Sequence, residues 1–327
     1  MATPIVTIFG GSGFVGRYVA RGMAKRGWRV RVAVRRPYEA HFVRPYGDVG
    51  QVEPIQANIR DEESTRCAIM GADLVINCVG ILYEDSRQKF QTVQAEGAER
   101  IARLSTECGV PRLVHLSAIG ADSASPSGYG RTKAEGEAAV LGAFPNAVIL
   151  RPSIIFGPED QFFNRFAAMA RISPMIPMVG ARTRFQPVYV DNVAQAVCTA
   201  GTSDAHGVYE LGGPQVFEFR DLMGMMLNEV HRRRLLVSLP FGLANVMAWG
   251  LSLVETMTLG LAPNRQITRD QVDMLRSDNV VAEDVKTIAD LGVEPTPVES
   301  VIGEYLYSYR PYGQYDAITA SAANLKA

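Results

Sequence analysis

The sequence predicts an α/β fold, namely a doubly wound parallel sheet joined to a smaller, mostly helical C-terminal lobe. Short apolar segments rich in β-branched residues alternate with helical patterns through the first half of the chain. These segments are apolar at nearly every position, which is typical of parallel strands covered by helices on both faces. The second half changes character, since nine of the twelve methionines follow residue 160.

Length and composition narrow the class of protein. The 327 residues suit one large or two modest domains, and 47% hydrophobic and 20% charged residues are ordinary for a soluble globular protein. A net charge of −1 gives no general reason to expect a nucleic-acid partner. The cysteines form no CxxC pair and the histidines no HExxH spacing, so we expect no disulfides, no metal and a reducing compartment. The first strand is predicted to begin at Pro4 or Ile5, with no room before it for a signal or transit peptide, so we expect either a bacterial cytoplasmic start or a mature form whose targeting segment has been removed.

The predicted elements begin with the strand "PIVTIF", a glycine turn and a helix that ends at Gly27. A second strand, "WRVRVAV", ends before Pro37. The remaining elements are strands at 72–80, 112–120, 147–158 and 207–213, and helices at 87–109, 188–201, 219–233, 241–260 and 269–276. Strands that alternate with helices in this way predict parallel βαβ units.

Gly10, Gly13 and Gly16 form a GxxGxxG stretch where the first strand turns into a helix. Glycine allows a sharp turn and a close approach of the backbone to a pyrophosphate, whose charge is held by free amides at the helix N-terminus. The spacing differs from the GxGxxG of ordinary Rossmann enzymes and matches that fingerprint loosely. We therefore expect a Rossmann-like dinucleotide site, with a glycine turn that binds no ligand as the alternative.

The end of the second strand distinguishes the two nicotinamide dinucleotides. Sites for NAD usually place Asp or Glu there, whereas this chain has Arg35 and Arg36 and no acid before Glu39. Guanidinium groups suit a 2′-phosphate, so the sequence favours NADP(H). Eight basic residues precede that first acid. They form either a solvated helix face and loop or a positive surface for a phosphate, an acidic partner or anionic lipid.

Tyr129 and Lys133 are four residues apart in "YGRTK", which places both side chains on one face of a helix. A lysine held beside a tyrosine favours the phenolate and so lowers the pKa of a potential acid/base group. Two roles are open for the pair, namely proton transfer and binding of a cofactor.

The glycine stretch, the "NCVG" that closes the fourth strand and the tyrosine–lysine pair after the fifth together resemble the extended and atypical short-chain dehydrogenase/reductase superfamily. Within it, "FGGSGFVGRYV", "RPSIIFGPEDQFFNRFA" and "RFQPVYVDNVAQAV" resemble the NADPH-binding accessory subunits of respiratory complex I and their alphaproteobacterial homologues. The resemblance implies tightly held NADPH, other complex I subunits as partners, and a peripheral place on the cytoplasmic side of a bacterial inner membrane.

The resemblance also implies where the cofactor binds. The expected contacts are Gly10, Gly11, Ser12, Gly13, Phe14 and Val15 for the pyrophosphate, Arg35 and Arg36 for the 2′-phosphate, Asn58 and Ile59 for the adenine, Cys78, Val79 and Gly80 for the ribose, and Ser117, Tyr129, Lys133, Pro152, Ile154 and Ile155 for the nicotinamide half. The expected domains are an NADP-binding core at 1–158 with 186–213 returning to it, a lobe at 159–185 and 214–310 that faces a partner or pocket, and an extended tail at 311–327.

Working members of the superfamily add a hydroxyl that polarises a carbonyl substrate. Ser117 is the first candidate, but residues 118–120 carry no hydroxyl, and Ser123 and Ser125 are alternatives in the next loop. We therefore assign no catalytic residue. If the chain has kept any activity, Tyr129 and Lys133 are the candidates for it. Three functions follow in order of preference: a non-catalytic subunit, an active NADP-dependent reductase or epimerase, and an NADP(H) redox sensor.

The lobe leaves further alternatives open. Six of its aromatic and methionine residues recur at helical spacing, namely Phe162, Phe163, Phe166, Met169, Met175 and Met178. They form either ordinary core, an adaptable partner surface or a hydrophobic substrate pocket. The apolar segment 235–263 has a helical pattern, but its proline, asparagine, glutamate and glycines argue against a membrane span. We expect this segment to be buried in the lobe or against a partner, with lipid contact at its edge as the alternative.

Overall fold

The computed structural model describes residues 3–84, 88–243 and 269–315. In chain order its strands are β1 (Ile5–Phe9), β2 (Arg29–Val34), β3 (Val52–Gln56), β4 (Leu74–Asn77), β5 (Leu113–Leu116), β6 (Val148–Pro152), β7 (Ile155–Phe156), β8 (Met175–Val179), β9 (Arg184–Phe185), β10 (Val188–Tyr189), β11 (Gly207–Leu211), β12 (Phe217–Glu218), β13 (Leu235–Leu239) and β14 (Lys286–Thr287). Its α-helices are α1 (Phe14–Lys25), α2 (Glu62–Ile69), α3 (Glu96–Glu107), α4 (Gly128–Ala143), α5 (Phe163–Ile172), α6 (Val190–Thr202), α7 (Phe219–Glu229), α8 (Arg269–Met274) and α9 (Ile302–Leu306).

A parallel sheet in the order β14-β11-β6-β5-β4-β1-β2-β3 forms the centre of the molecule. The chain runs outward from β1 to β3, returns beside β1 as β4, and runs outward again on the other side. This doubly wound order confirms the predicted fold class. Val6 and Ile8 of β1 pack against α1 and α6, whereas Phe9 packs with α3 on the opposite face. Because successive strand side chains point to opposite faces, one apolar run supplies both cores.

The C-terminal lobe has a core of its own, built mainly from α5, α7 and α9. Edge-to-face aromatic contacts link Phe162, Phe166 and Phe219 within it. Of the six aromatic and methionine residues noted in the sequence, five lie in or against this core, while Met175 is 50% exposed. The interpretation as ordinary core is therefore confirmed for Phe163 and Met178, which are buried, whereas Phe162, Phe166 and Met169 are partly buried against that core.

One strand of the sheet comes from the range that the sequence assigns to the lobe. After α8 the chain returns to the sheet as β14, and Ile288, Leu291 and Val293 then join the core between the sheet and α6. The chain crosses back because these apolar residues cover the sheet beyond β11. The division into a core and a lobe otherwise stays a prediction.

The apolar segment 235–263 begins as β13, which pairs in parallel with β8. Residues 244–268, with most of the predicted helix at 241–260, lie outside the described residues. Within the described ranges, no helix has the length and apolar character needed to cross a membrane. The predicted tail at 311–327 is described to Tyr315, where a short 3-10 turn covers Gly313–Tyr315.

Candidate cofactor site

The site lies at the carboxyl ends of β1 and β4, where the strand order reverses. The chain leaves β1 toward β2 on one side and leaves β4 toward β5 on the other. In doubly wound folds the loops after two such strands diverge and open a crevice. Crevices at this position bind ligands in doubly wound folds. The predicted glycine stretch follows β1, and Cys78, Val79 and Gly80 follow β4.

The glycine stretch forms a tight turn against the loop after β4. Gly10 has a φ of +74°, its amide donates to Ala33 O at 3.1 Å, and its carbonyl accepts from the Gly13 amide at 2.9 Å. A Cβ on Gly10 would lie 3.1 Å from the Cys78 carbonyl group, and a Cβ on Gly16 would clash with the Gly10 carbonyl oxygen. Glycine is therefore required at both positions. The close packing keeps the turn between β1 and α1 tight, which is the backbone conformation that a pyrophosphate-binding loop needs.

Helix α1 points its N-terminus at this crevice. Gly13 is its N-cap, no acidic residue stands in its first turn, and the amides of Phe14 and Val15 open the helix. The first amides of a helix have no intrahelical acceptor and carry partial positive charge. With Gly11 and Ser12 in the preceding turn, the loop places the predicted pyrophosphate contacts together. The structure thus favours an anionic ligand over a glycine turn without a ligand.

The residues predicted to contact the adenosine half of the cofactor lie at the neighbouring ends of β2 and β3. Arg35 follows β2, is exposed, and has no carboxylate within 4.0 Å among the described residues. Arg36 is engaged, because its Nη1 donates to Glu39 Oε1 at 2.9 Å. After β3, Asn58 Oδ1 accepts from the Arg60 amide at 3.2 Å, so this side chain shapes the loop. Ile59 packs against α3 at Gly97.

Two buried residues missed by the sequence analysis support the ribose loop. Asn77 Nδ2 donates to His115 Nδ1 at 3.0 Å, and Asn77 Oδ1 accepts from the Val79 amide at 3.0 Å. Burial, with a contribution from Lys133, lowers the pKa of His115 to about 3, so the ring is neutral near pH 7. Burial also raises the pKa of the Cys78 thiol to about 12, which leaves it protonated. The polar residues inside "LVINCV" and "LVHLS" were the available signal.

The tyrosine–lysine pair faces the crevice from α4. Lys133 is 4% exposed, its Nζ donates to Leu116 O at 3.2 Å and lies 6.0 Å from the centre of the Tyr129 ring. A Cβ on Gly80 would lie 3.6 Å from the same Nζ. Ser117 Oγ is buried nearby and has no hydrogen-bond partner among the described residues. These contacts bring the ends of β4 and β5 and helix α4 together, as the sequence predicts.

The predicted lowering of the tyrosine pKa is wrong for this structure. Burial, helped by the charge of Asp270, raises the pKa of Tyr129 to about 12. Burial likewise lowers the pKa of Lys133 to about 8, although Glu137 opposes it. Desolvation decides both directions, since each buried group disfavours its charged form. Near pH 7 the Tyr129 side chain is therefore a neutral phenol and the Lys133 side chain is an ammonium group. Both groups can donate a hydrogen bond.

The residues predicted to pass the nicotinamide lie at the end of β6 and in the backbone after it. Pro152 O accepts from the Ile119 amide at 3.0 Å, and Ile154 O accepts from the Val188 amide at 2.9 Å. Ile155 begins β7 and is partly buried. The alternative hydroxyls lie elsewhere in the loop after β5, since Ser123 is exposed and Ser125 Oγ accepts from the Ser127 amide at 3.3 Å. No group of three or more His, Cys, Asp or Glu among the described residues could hold a metal ion.

The match to a family model agrees with this geometry. The model described as "NAD dependent epimerase/dehydratase family" matches residues 6–212, which span the glycine stretch, the tyrosine–lysine pair and β11. The chain therefore belongs to the NAD dependent epimerase/dehydratase family, and a nicotinamide dinucleotide is the class of ligand that fits the crevice.

Curated relatives narrow the class further. The chain is 34% identical over 324 residues to "NADH dehydrogenase [ubiquinone] 1 alpha subcomplex subunit 9, mitochondrial" of Arabidopsis thaliana, covering 97% of this chain and 81% of that protein. It is 30% identical to "NADH-ubiquinone oxidoreductase 40 kDa subunit, mitochondrial" of Neurospora crassa, over 95% of this chain and 80% of that protein. Within the larger family, the chain belongs with these two proteins.

The UDP-glucose 4-epimerase of Thermus thermophilus shares the fold, with a TM-score of 0.67, 18% identity, and 94% and 99% of the two chains covered.

Proposed function

We propose that this protein is a non-catalytic accessory subunit of the proton-pumping NADH:quinone oxidoreductase, in which it holds NADPH as a structural cofactor of the peripheral arm. The observation that carries the proposal is the tight glycine turn from β1 into α1, together with a stretch after β5, residues 118–120, that carries no hydroxyl. The names of its relatives support the same assembly. A ligand that binds only the folded chain stabilises it by mass action, so the cofactor needs no turnover to be useful.

The choice of NADPH rests on Arg35. Its guanidinium is exposed at the end of β2 and is not held by a carboxylate of the described residues, whereas Arg36 already pairs with Glu39. A free guanidinium at this position suits a 2′-phosphate. Arg35 is therefore the principal 2′-phosphate ligand in this proposal, and Arg36 is a weaker contributor.

The absence of catalysis rests on the surroundings of Tyr129. Its raised pKa and the buried position of Ser117 favour hydrogen bonds to a ribose over proton transfer to a substrate. Tyr129→Phe should therefore leave NADH:quinone turnover nearly unchanged, while the retention of nucleotide falls. A collapse of turnover in an intact assembly would contradict the proposal.

Purification in mild detergent from the membranes of the host tests the whole proposal. We expect the chain to migrate with a large NADH-oxidising assembly, and alkaline extraction of that assembly to release NADPH in a one-to-one ratio with the chain. A free chain that oxidises NADPH when carbonyl compounds are added would establish the alternative, an NADP-dependent reductase or epimerase. The observation that favours this alternative is the Ser117 hydroxyl, which has no hydrogen-bond partner among the described residues and directly follows the Leu116 carbonyl that Lys133 contacts.

We also propose that the protein lies on the cytoplasmic face of a bacterial inner membrane and touches its lipid through one surface of the lobe. Ile172, Met175 and Leu235 are 85%, 50% and 65% exposed, and Leu235 lies opposite Met175 in the pairing of β13 with β8. Arg171 precedes Ile172 in the chain, and Arg233 and Arg234 precede Leu235. No acid occurs at 161–190 or 230–243. Exposed aliphatic side chains with arginines beside them in the sequence fit an anionic bilayer.

Flotation with lipid vesicles tests this surface. We expect the protein to bind vesicles of phosphatidylcholine mixed with phosphatidylglycerol and not vesicles of phosphatidylcholine alone. Leu235→Glu should abolish binding, while Val49→Glu, at a fully exposed valine outside the lobe, should leave it unchanged. Equal loss in both variants, or no binding by the wild type, would refute the lipid contact and leave the subunit proposal standing.

A further inference from the structure

A continuous strap of chain, residues 270–282, crosses the carboxyl edge of the sheet beside the cofactor crevice. It begins in α8 and is tied to the body of the protein at intervals along its length. The ties are Asp270 to the first turn of α4, Leu275 O to Thr183 Oγ1, Asp278 to Arg184, Asn279 to Ser153 and Ile119, Val281 N to Gln186 Oε1, and Ala282 N to Glu210 Oε2. The strap therefore touches both the helix that carries Tyr129 and the loop after β6.

Asp270 makes the contact at the α4 end. Its Oδ1 accepts from the Gly128 amide at 2.6 Å and from the Tyr129 amide at 3.3 Å. Ser127 Oγ accepts from the Gly130 amide at 3.3 Å, so the two side chains share the first turn between them. A carboxylate at a helix N-terminus is stabilised by the free amides and by the helix dipole. Asp270 comes from 142 residues beyond Gly128, so this cap forms only when the strap is docked.

Asn279 makes the contact at the β6 end. Ser153 Oγ lies 2.8 Å from the carbonyl oxygen of Asn279 and 2.7 Å from Asn279 Oδ1, and it donates to these oxygens. Asn279 Nδ2 in turn donates to Ile119 O at 3.2 Å. Ile119 lies in the hydroxyl-free stretch and Ser153 within the segment expected to pass the nicotinamide. The strap is thus fixed on both sides of the nicotinamide end of the crevice.

We propose that Asp270 is a positioning residue of the cofactor site, which sets the start of α4, and with it Tyr129, and couples cofactor binding to docking of the strap. The inference rests on the proposed binding of NADP(H). A cofactor ribose held by Tyr129 and Lys133 fixes the start of α4, which Asp270 caps. Cofactor binding and docking of the strap therefore favour each other. Because such coupling is reciprocal, strap docking raises cofactor affinity by the factor by which cofactor raises strap docking.

Cofactor affinity measured by NADPH fluorescence tests the proposal in the full-length chain. We expect Asp270→Ala to weaken NADPH binding about tenfold, since two charge-assisted hydrogen bonds are lost. Asp270→Asn keeps an acceptor oxygen and should fall between this variant and the wild type. Asp273→Asn is the matched control, because Asp273 lies in the same helix and pairs with Arg276 at 3.2 Å instead of with α4. It should bind NADPH as the wild type does.

A double-mutant cycle separates positioning from simple structural damage. If Asp270 acts through Tyr129, the effects of Asp270→Ala and Tyr129→Phe on the Kd should be strongly non-additive. Hydrogen exchange gives the second measurement, since NADPH should slow exchange at 270–282 in the wild type and much less in Asp270→Ala. Additive effects with unchanged protection would overturn the role of Asp270. A wild-type chain that binds no NADP(H) at all would instead overturn the proposed function and this inference with it.

Discussion

Asn77 and His115 join the ends of β4 and β5 beneath the crevice, with Asn77 Nδ2 3.0 Å from His115 Nδ1. The other end of the same amide, Oδ1, holds the Val79 backbone at 3.0 Å. Asn77 and His115 are 2% and 1% exposed. One buried amide therefore aligns two strands and the loop expected to carry the cofactor ribose, since a buried polar group must find partners.

Asn77→Ala should destabilise the fold and weaken the cofactor site together. The change leaves His115 Nδ1 and the Val79 amide unpaired in a buried region, which costs about 1–3 kcal/mol. Urea unfolding of the apo chain measures the first effect, and NADPH titration measures the second. Asn228→Ala, at an exposed position of α7, is the control and should change neither. Full stability in Asn77→Ala would show that the buried amide is dispensable.

The buried His115 predicts a loss of stability in mild acid. Its folded pKa of about 3 lies below the ordinary value of 6.5, so between these values the unfolded chain binds a proton that the native chain does not. Stability therefore rises with pH through this window, by at most about 1.4 kcal/mol per pH unit from this group. His115→Gln should flatten the dependence measured by urea unfolding between about pH 5 and pH 6. His206→Gln, at an exposed histidine, should leave the dependence as in the wild type.

Gly16→Ala should abolish dinucleotide binding, because the new Cβ clashes with the Gly10 carbonyl oxygen and pushes the loop out of its turn. The matched control is Gly142→Ala in α4, where nothing lies within 4 Å of the added carbon. Ala at that helical position should stabilise the fold by up to about 1 kcal/mol. Calorimetric titration with NADPH and thermal melts compare the pair. Normal binding by Gly16→Ala would refute the cradle.

Arg35→Ala should weaken NADPH binding about tenfold or more and leave NADH binding nearly unchanged, because only NADPH carries the 2′-phosphate. Arg36→Ala should have a smaller effect, since this guanidinium already pairs with Glu39 at 2.9 Å. Parallel titrations of both variants with both nucleotides give the comparison. Equal losses for NADH and NADPH in Arg35→Ala would remove Arg35 from the 2′-phosphate site.

The sheet and the glycine loop could be predicted because their signals are local. A buried parallel strand is a short apolar run, and the turn from β1 into α1 needs glycine at neighbouring positions. The tyrosine–lysine spacing likewise follows from one helix. The pairings β7–β10, β8–β13 and β9–β12 were missed because each joins short segments that are distant in sequence, so no local pattern indicates them.

The sequence by itself thus determined the doubly wound sheet, the glycine turn after β1 and the helix that carries Tyr129 and Lys133. The tertiary structure alone decided which arginine pairs with Glu39, which carboxylate caps α4, and in which direction the pKa of Tyr129 shifts. The physical reason is that ion pairing, capping and desolvation depend on groups brought together from distant positions. Asp270 meets Gly128 only in the folded chain, and burial raises the pKa of Tyr129 although a lysine stands four residues away.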